Sequence, residues 1–150
     1  ESRGLGDVYK RQASDIVVAD QTATFVLSEL LFGLLPACVL PFLIRRVGFQ
    51  KAQRLSLTTK PISASEAYNW GLVDEYNEDT NKSINQYIRR LRYLESSRVK
   101  ELKDLMNKLW IIQEETQDLV VNTSCSMMVK PGFREKIRLF IQEGVFPWQS

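Results

Sequence analysis

Two short strand-like segments, residues 15–19 (DIVVA) and 23–27 (ATFVL), stand near the start of this 150-residue chain, and the residues after them are mostly helical in pattern. Both are rich in β-branched and apolar residues, as strands packed on a core require. Asp20 and Gln21 between them carry turn chemistry. Two strands of this length cannot make an independent sheet. They need partners, and the simplest source is a sheet whose other strands lie in an N-terminal half outside this sequence. Residues 13–150 alone are therefore expected to fold poorly or to aggregate through unpaired strand edges.

The helical remainder has clear punctuation. Residues 28–36 read SELLFGLLP, where Gly33 and Pro36 break any long helix. A short helix is expected within 38–47, starting around Pro41 and stopping at Gly48. Another is expected over 50–58, with Ala52 and Leu55 on one face. Ser63 and Glu66 form a capping box at the head of a helix that ends at Gly71. Residues 72–76 (LVDEY) then read as a short strand or an extended exit. Ile84, Tyr87, Ile88 and Leu91 share one helical face, as do Val99, Leu102, Leu105, Met106 and Leu109. A further helix is expected over 114–128. Pro131 opens the last one, with Phe133, Ile137, Phe140 and Ile141 on one side. Phe146 and Trp148 lie in the tail. The first twelve residues, ESRGLGDVYKRQ, are polar, lack an apolar period and resemble read-through of a sequencing adapter. They read as a non-native leader and are left out of fold reasoning; a natural flexible terminus is the alternative.

Composition removes several function classes. The net charge of +2 is too small to argue for nucleic acid. The chain has no histidine, which excludes Ser-His-Asp triads, Cys-His pairs and histidine metal sites within it. No metal site is expected. Proton transfer here has to use carboxylate, lysine, tyrosine or cysteine. Cys38 and Cys125 form neither a CxxC pair nor a disulfide framework, which fits a reducing cytoplasm. Residues 25–44 are apolar enough to raise the question of a membrane anchor. Glu29, Pro36 and Pro41 interrupt them, leaving less than the ~20 residues a span needs, so no membrane partner is expected.

Glu29 is the one carboxylate in that apolar run, and it follows a strand. A carboxyl in apolar surroundings has a raised pKa, which suits acid–base work near neutrality. The competing reading is a glutamate at a helix N-terminus, stabilised by the helix dipole.

Residues 15–36, DIVVADQTATFVLSELLFGLLP, continued by RRVGFQKAQRL and TTKPISASEAYNWGLVDEY, resemble the second half of the crotonase (enoyl-CoA hydratase/isomerase) superfamily. Thr58, Ile62, Ala64, Glu66, Ala67, Gly71, Leu72 and Val73 stand in its T-x-x-x-I-x-A-x-E-A-x-x-x-G-L-V segment. Within that superfamily, SELLFGLLPACVLPFLIRRVG and the ending GVFPWQS are similar to the dehydratases of polyketide β-branching. Where relatives in fatty acid degradation carry P-G-A-G-G, this chain has Pro36-Ala37-Cys38-Val39.

The resemblance implies an α/β fold: the C-terminal part of a crotonase ββα spiral over residues 13–76, then a helical trimerisation region over 77–150. It implies a hydro-lyase that removes water from a 3-hydroxy-3-methylglutaryl thioester on an acyl carrier protein. A hydratase or isomerase acting on coenzyme A thioesters is the nearest rival, and a non-catalytic helical module the rival from another class. No cofactor is implied beyond the phosphopantetheine arm that carries the acyl group. Assembly as a homotrimer or hexamer is implied.

Glu29 matches the family's second catalytic glutamate. The first falls at Tyr9, inside the leader, and carries no expectation. The segments that supply the oxyanion-hole amides are not in this sequence, so the chain alone is expected to be inactive. Leu35, Pro36 and Ala37 are expected to line the substrate site, and Phe140 and Lys136 the end of the pantetheine channel; core packing and solvation compete for the last two. Cys38 reads as a small buried hydrophobe beside the pocket. Arg45, Arg46, Lys51 and Arg54 are placed to meet an acidic carrier, against the plainer reading of a solvated face.

Overall fold

A computed structural model describes residues 14–110, 114–130 and 132–144. The leader at 1–12, Tyr9, Pro131, Phe146 and Trp148 lie outside the described residues. Strand β1 (Val18–Asp20) ends in a turn fixed by its own last side chain: Asp20 Oδ1 accepts the Thr22 amide at 2.8 Å and the Thr22 hydroxyl at 2.6 Å. That turn redirects the chain into β2 (Thr24–Phe25). A 3-10 helix (Glu29–Phe32) comes next and closes on Gly33, whose φ of 75° is the left-handed conformation that favours glycine.

Helix α1 (Leu40–Val47) starts one residue before Pro41 and carries it in the first turn, where a missing amide hydrogen is harmless. Gly48 ends it, and α2 (Phe49–Thr58) begins immediately. Ala52 and Leu55 are its buried residues together with Ser56. After β3 (Ile62–Ser63) comes α3 (Ala64–Trp70), and Ser63 Oγ accepts the Glu66 amide at 3.2 Å, the serine half of the capping box. Ser63→Ala in the full-length protein is expected to cost about 1 kcal/mol, read as a lower urea midpoint at unchanged slope. An unaltered midpoint would show the cap to be idle.

The chain then passes through β4 (Glu75–Asn77) into four helices, α4 (Thr80–Leu91), α5 (Ser96–Leu109), α6 (Glu114–Met128) and α7 (Phe133–Glu143). Among the described residues no helix is long and apolar enough to cross a membrane.

Each strand has one partner within the chain, which corrects the expectation that β1 and β2 find none here. β1 pairs in parallel with β4, Val18 opposite Glu75 and Asp20 opposite Asn77. β2 pairs antiparallel with β3, Thr24 opposite Ser63 and Phe25 opposite Ile62. Residues 72–76 end in a real strand because Asp74 first docks at the head of β1: its carboxylate accepts the Val17 amide at 2.6 Å and its own amide donates to Val17 O at 2.9 Å.

The hydrophobic core holds Val17, Ala19, Leu27, Val39, Leu43, Val47, Ala52, Leu55, Ile62, Ala64, Ala67, Leu72 and Val73. All lie between residues 17 and 73. The later helices keep large apolar groups in solvent, including Leu102, Leu105, Met106 and Leu109 on α5. A periodic apolar face is thus present on α5 but stays exposed among the described residues.

Candidate active site

Glu29 heads the 3-10 helix with only 6% of its surface accessible. The backbone around it is pinned. Leu31 N donates to Ser28 O at 3.0 Å and Leu34 N to Glu29 O at 3.0 Å. The Glu29 Oε2 atom is buried and has no hydrogen-bond partner among the described residues. Burial pushes its pKa above the usual glutamate value, and the backbone amides of Glu29 and Ser28 pull weakly the other way. An unpaired carboxylate oxygen in an apolar wall is poised to exchange a proton rather than to hold a structural bond.

The turn after Glu29 is held by the last two helices. Phe32 and Phe140, from α7, meet edge to face with ring centroids 5.3 Å apart and planes at 69°. The ammonium group of Lys136, also on α7, comes within 3.9 Å of where a β-carbon on Gly33 would sit. From α6, Met127 Sδ accepts the Leu35 amide at 3.2 Å, and Ser124 Oγ lies 3.2 Å from Cys38 Sγ. Pro36 is buried, and its carbonyl accepts the Val39 and Leu40 amides at 3.0 and 2.9 Å, starting α1.

Leu35 and Ala37 line an almost wholly apolar cavity of about 480 Å³ between α1 and α6, with Leu40, Pro41, Ile44, Trp110, Thr116, Leu119, Val120 and Thr123. Glu29, Pro36, Lys136 and Phe140 stand outside that lining. The structure therefore splits the expected substrate residues. Lys136 and Phe140 gather on the Glu29 turn, Leu35 and Ala37 on the α1–α6 cavity, and Pro36 serves the backbone between them. Cys38 is exposed, not buried as expected, and neither cysteine forms a disulfide.

Arg46 departs most from its expected role. Its side chain is 9% accessible. Its guanidinium donates to Ser14 O at 2.8 Å, Asp15 O at 3.1 Å and Leu72 O at 3.4 Å, and pairs with Asp74 at 3.1 Å. It is a clamp between α1, the entry to β1 and the approach to β4, and cannot also greet a partner. Arg45 stays exposed over the Phe42 ring at 5.6 Å, and Lys51 is exposed as well. Arg54 sits 5.2 Å over the Trp70 ring, with Glu66 4.0 Å away. Local pattern gave no signal for the Arg46 clamp, since its acceptors lie between 26 and 32 residues away along the chain.

The model of the enoyl-CoA hydratase/isomerase family matches residues 11–149. The chain belongs to that family. Its crotonase fold is shared with the crystal structure of a polyketide biosynthesis enoyl-CoA hydratase from Bacillus subtilis, with a TM-score of 0.85 and 42% identity over 91% of this chain and 55% of that one. Among named relatives, the bacillaene synthase dehydratase PksH of Bacillus subtilis is 42% identical over 98% of this chain and 56% of its own length. The mevalonyl-coenzyme A hydratase of Aspergillus fumigatus is 28% identical over 97% of this chain and 56% of its own. The chain thus spans about half the length of the relatives it matches. Within this crotonase segment, Phe32, Met127 and Ser124 are site neighbours that sequence reasoning missed. Only Phe32, three residues after Glu29, carried a local signal.

Proposed function

We propose that the full-length protein containing this segment is a dehydratase of polyketide biosynthesis that removes water from a 3-hydroxy-3-methylglutaryl thioester on an acyl carrier protein. The observation that carries this reading is the buried carboxyl of Glu29 at the head of the 3-10 helix, whose Oε2 has no hydrogen-bond partner among the described residues. The likeness to a polyketide dehydratase supports the choice of reaction.

Dehydration breaks the Cα–H bond and the bond from C3 to its hydroxyl, forms a double bond between the two carbons, and releases water. Glu29 accepts the α-proton, or protonates the departing hydroxyl, or does both in turn on one face of the substrate. In the last case the carboxyl finishes as it began and no external acid is consumed. No metal or redox group enters this scheme. The phosphopantetheine arm acts only as the handle of the acyl group. The uncovered apolar face on α5 supports assembly into a homotrimer or hexamer, as does the family's habit.

A second reading, in which the thioester is on coenzyme A, is favoured by the likeness to a mevalonyl-coenzyme A hydratase. Mass spectrometry of product formed by the full-length protein from carrier-bound and coenzyme A-bound 3-hydroxy-3-methylglutaryl separates the two. Preferred loss of water from the carrier-bound substrate supports the first reading; equal or better turnover of the coenzyme A form supports the second. With Arg46 committed to the fold, Arg45, Lys51 and Arg54 are the expected cations that remain exposed to an acidic carrier. Arg45→Glu is expected to lower kcat/KM for the carrier-bound substrate several-fold, through slower association. The effect should shrink as salt rises and be absent for coenzyme A thioesters. Unchanged carrier kinetics would leave Arg45 a plain surface residue.

A further inference from the structure

We propose that Phe140 is a positioning residue: its edge-to-face contact with Phe32 holds the wall against which the Glu29 carboxyl is kept in its working direction. The proposal rests on the reading of Glu29 as the proton carrier.

The geometry of the short helix makes the link. In a 3-10 helix with three residues per turn, side chains at i and i+3 eclipse one another. Glu29 and Phe32 are such a pair, at the two ends of one 3-10 turn, and both are buried. Whatever fixes the Phe32 ring therefore fixes the surface beside the Glu29 side chain. The Glu29 Oε2 atom has no hydrogen-bond partner among the described residues, so beyond the Ser28 and Glu29 amides the direction of the carboxyl depends on packing. Phe140 reaches Phe32 from the last helix with ring centroids 5.3 Å apart, in the edge-to-face arrangement aromatic pairs favour. That helix packs on α6, and α6 is tied to the turn after Glu29 through Met127 Sδ. Phe140 thus stands on a braced support, as a positioning group must. Phe140 itself is partly open, at 36% accessible, so it is Phe32 and not Phe140 that supplies the buried wall.

The test is a set of variants in the full-length enzyme, assayed on its carrier-bound substrate. Phe140→Ala is expected to lower kcat about 10- to 100-fold with KM within about twofold of wild type, the signature of a misplaced catalytic group. Phe140→Leu restores part of the packing and should recover only part of the rate, leaving kcat several-fold below wild type. In a Glu29→Gln background, Phe140→Ala should add little further loss, because its effect passes through Glu29. A merely structural role would instead give additive losses that track the thermal melt. Three results would overturn the proposal: wild-type kcat in Phe140→Ala, a rise in KM at constant kcat, or full additivity with Glu29→Gln. If Phe140→Ala fails to fold, Phe140→Leu decides. A fall in kcat at constant KM supports the proposal, and an unchanged kcat overturns it. Glu29→Gln alone separates the two levels: if it stays active, the reading of Glu29 falls, whereas its inactivity beside a fully active Phe140→Ala removes only the role of Phe140.

Discussion

Glu29→Gln in the full-length enzyme is expected to lower turnover about 10²–10⁴-fold while thioester binding persists. Glutamine keeps the size and hydrogen-bonding shape of the side chain but cannot exchange a proton under these conditions. Contacts to the carrier arm and to the thioester carbonyl are untouched, so kcat and kcat/KM should fall together. Stability should move the other way. Burial raises the Glu29 pKa above its ordinary value of 4.5, so folding favours the protonated form. The stability this contributes is complete below the unfolded-state value and is lost as pH rises through the raised folded-state value. The glutamine variant lacks that loss. Its stability relative to wild type should therefore increase as pH rises across that window. Urea titrations at acid and neutral pH, beside a dehydration assay by mass spectrometry, measure both effects. Near wild-type dehydration by a folded glutamine variant would return Glu29 to an ordinary helix-end residue.

Arg46→Ala is expected to destabilise the full-length protein by about 2–3 kcal/mol. Most of this belongs to the nearly buried guanidinium and its bonds to the Ser14, Asp15 and Leu72 carbonyls, which lose a charged donor. The Asp74 pair contributes less, because that carboxylate is 38% accessible and solvent weakens the attraction. Arg46→Lys should recover little of the loss. A single ammonium cannot span the two carbonyls at the β1 entry and the carboxylate on the approach to β4 as a planar fork does. Urea denaturation read as a shift in midpoint measures both variants. A change within about 0.5 kcal/mol for Arg46→Ala would place Arg46 among ordinary surface residues.

Local features of this chain were legible because their causes are local. Gly33, Gly48 and Gly71 end their helices where the pattern put them, all at positive φ. Ala52 and Leu55 are buried as their spacing required, and Ser63 caps α3. Glu29 stood out as the only carboxylate in an apolar run, and burial of that run leaves the carboxyl little choice of environment. The family, too, was readable, since its motif is an ordered string of residue types.

The features that stayed hidden depended on contacts between distant parts of the chain. Strands β1 and β2 looked unpartnered because β4 and β3, their mates, lie 57 and 39 residues further along by the registers Val18 with Glu75 and Thr24 with Ser63; residues 72–76 read as extended but nothing local tied them to β1, and β3 is too short to announce itself. Arg45 and Arg46 are neighbours of one type in one helix. Only the approach of Ser14, Leu72 and Asp74 to one side of α1 turns Arg46 inward and leaves Arg45 in solvent. Phe140 had an apolar face to belong to, but its target, Phe32, was set by how α7 docks on the Glu29 turn. Periodicity, caps and breakers thus determined where this chain coils and which acid is sequestered. Which distant groups meet was decided in the tertiary structure, where hydrogen bonds and packing between segments choose among faces that the sequence leaves equivalent.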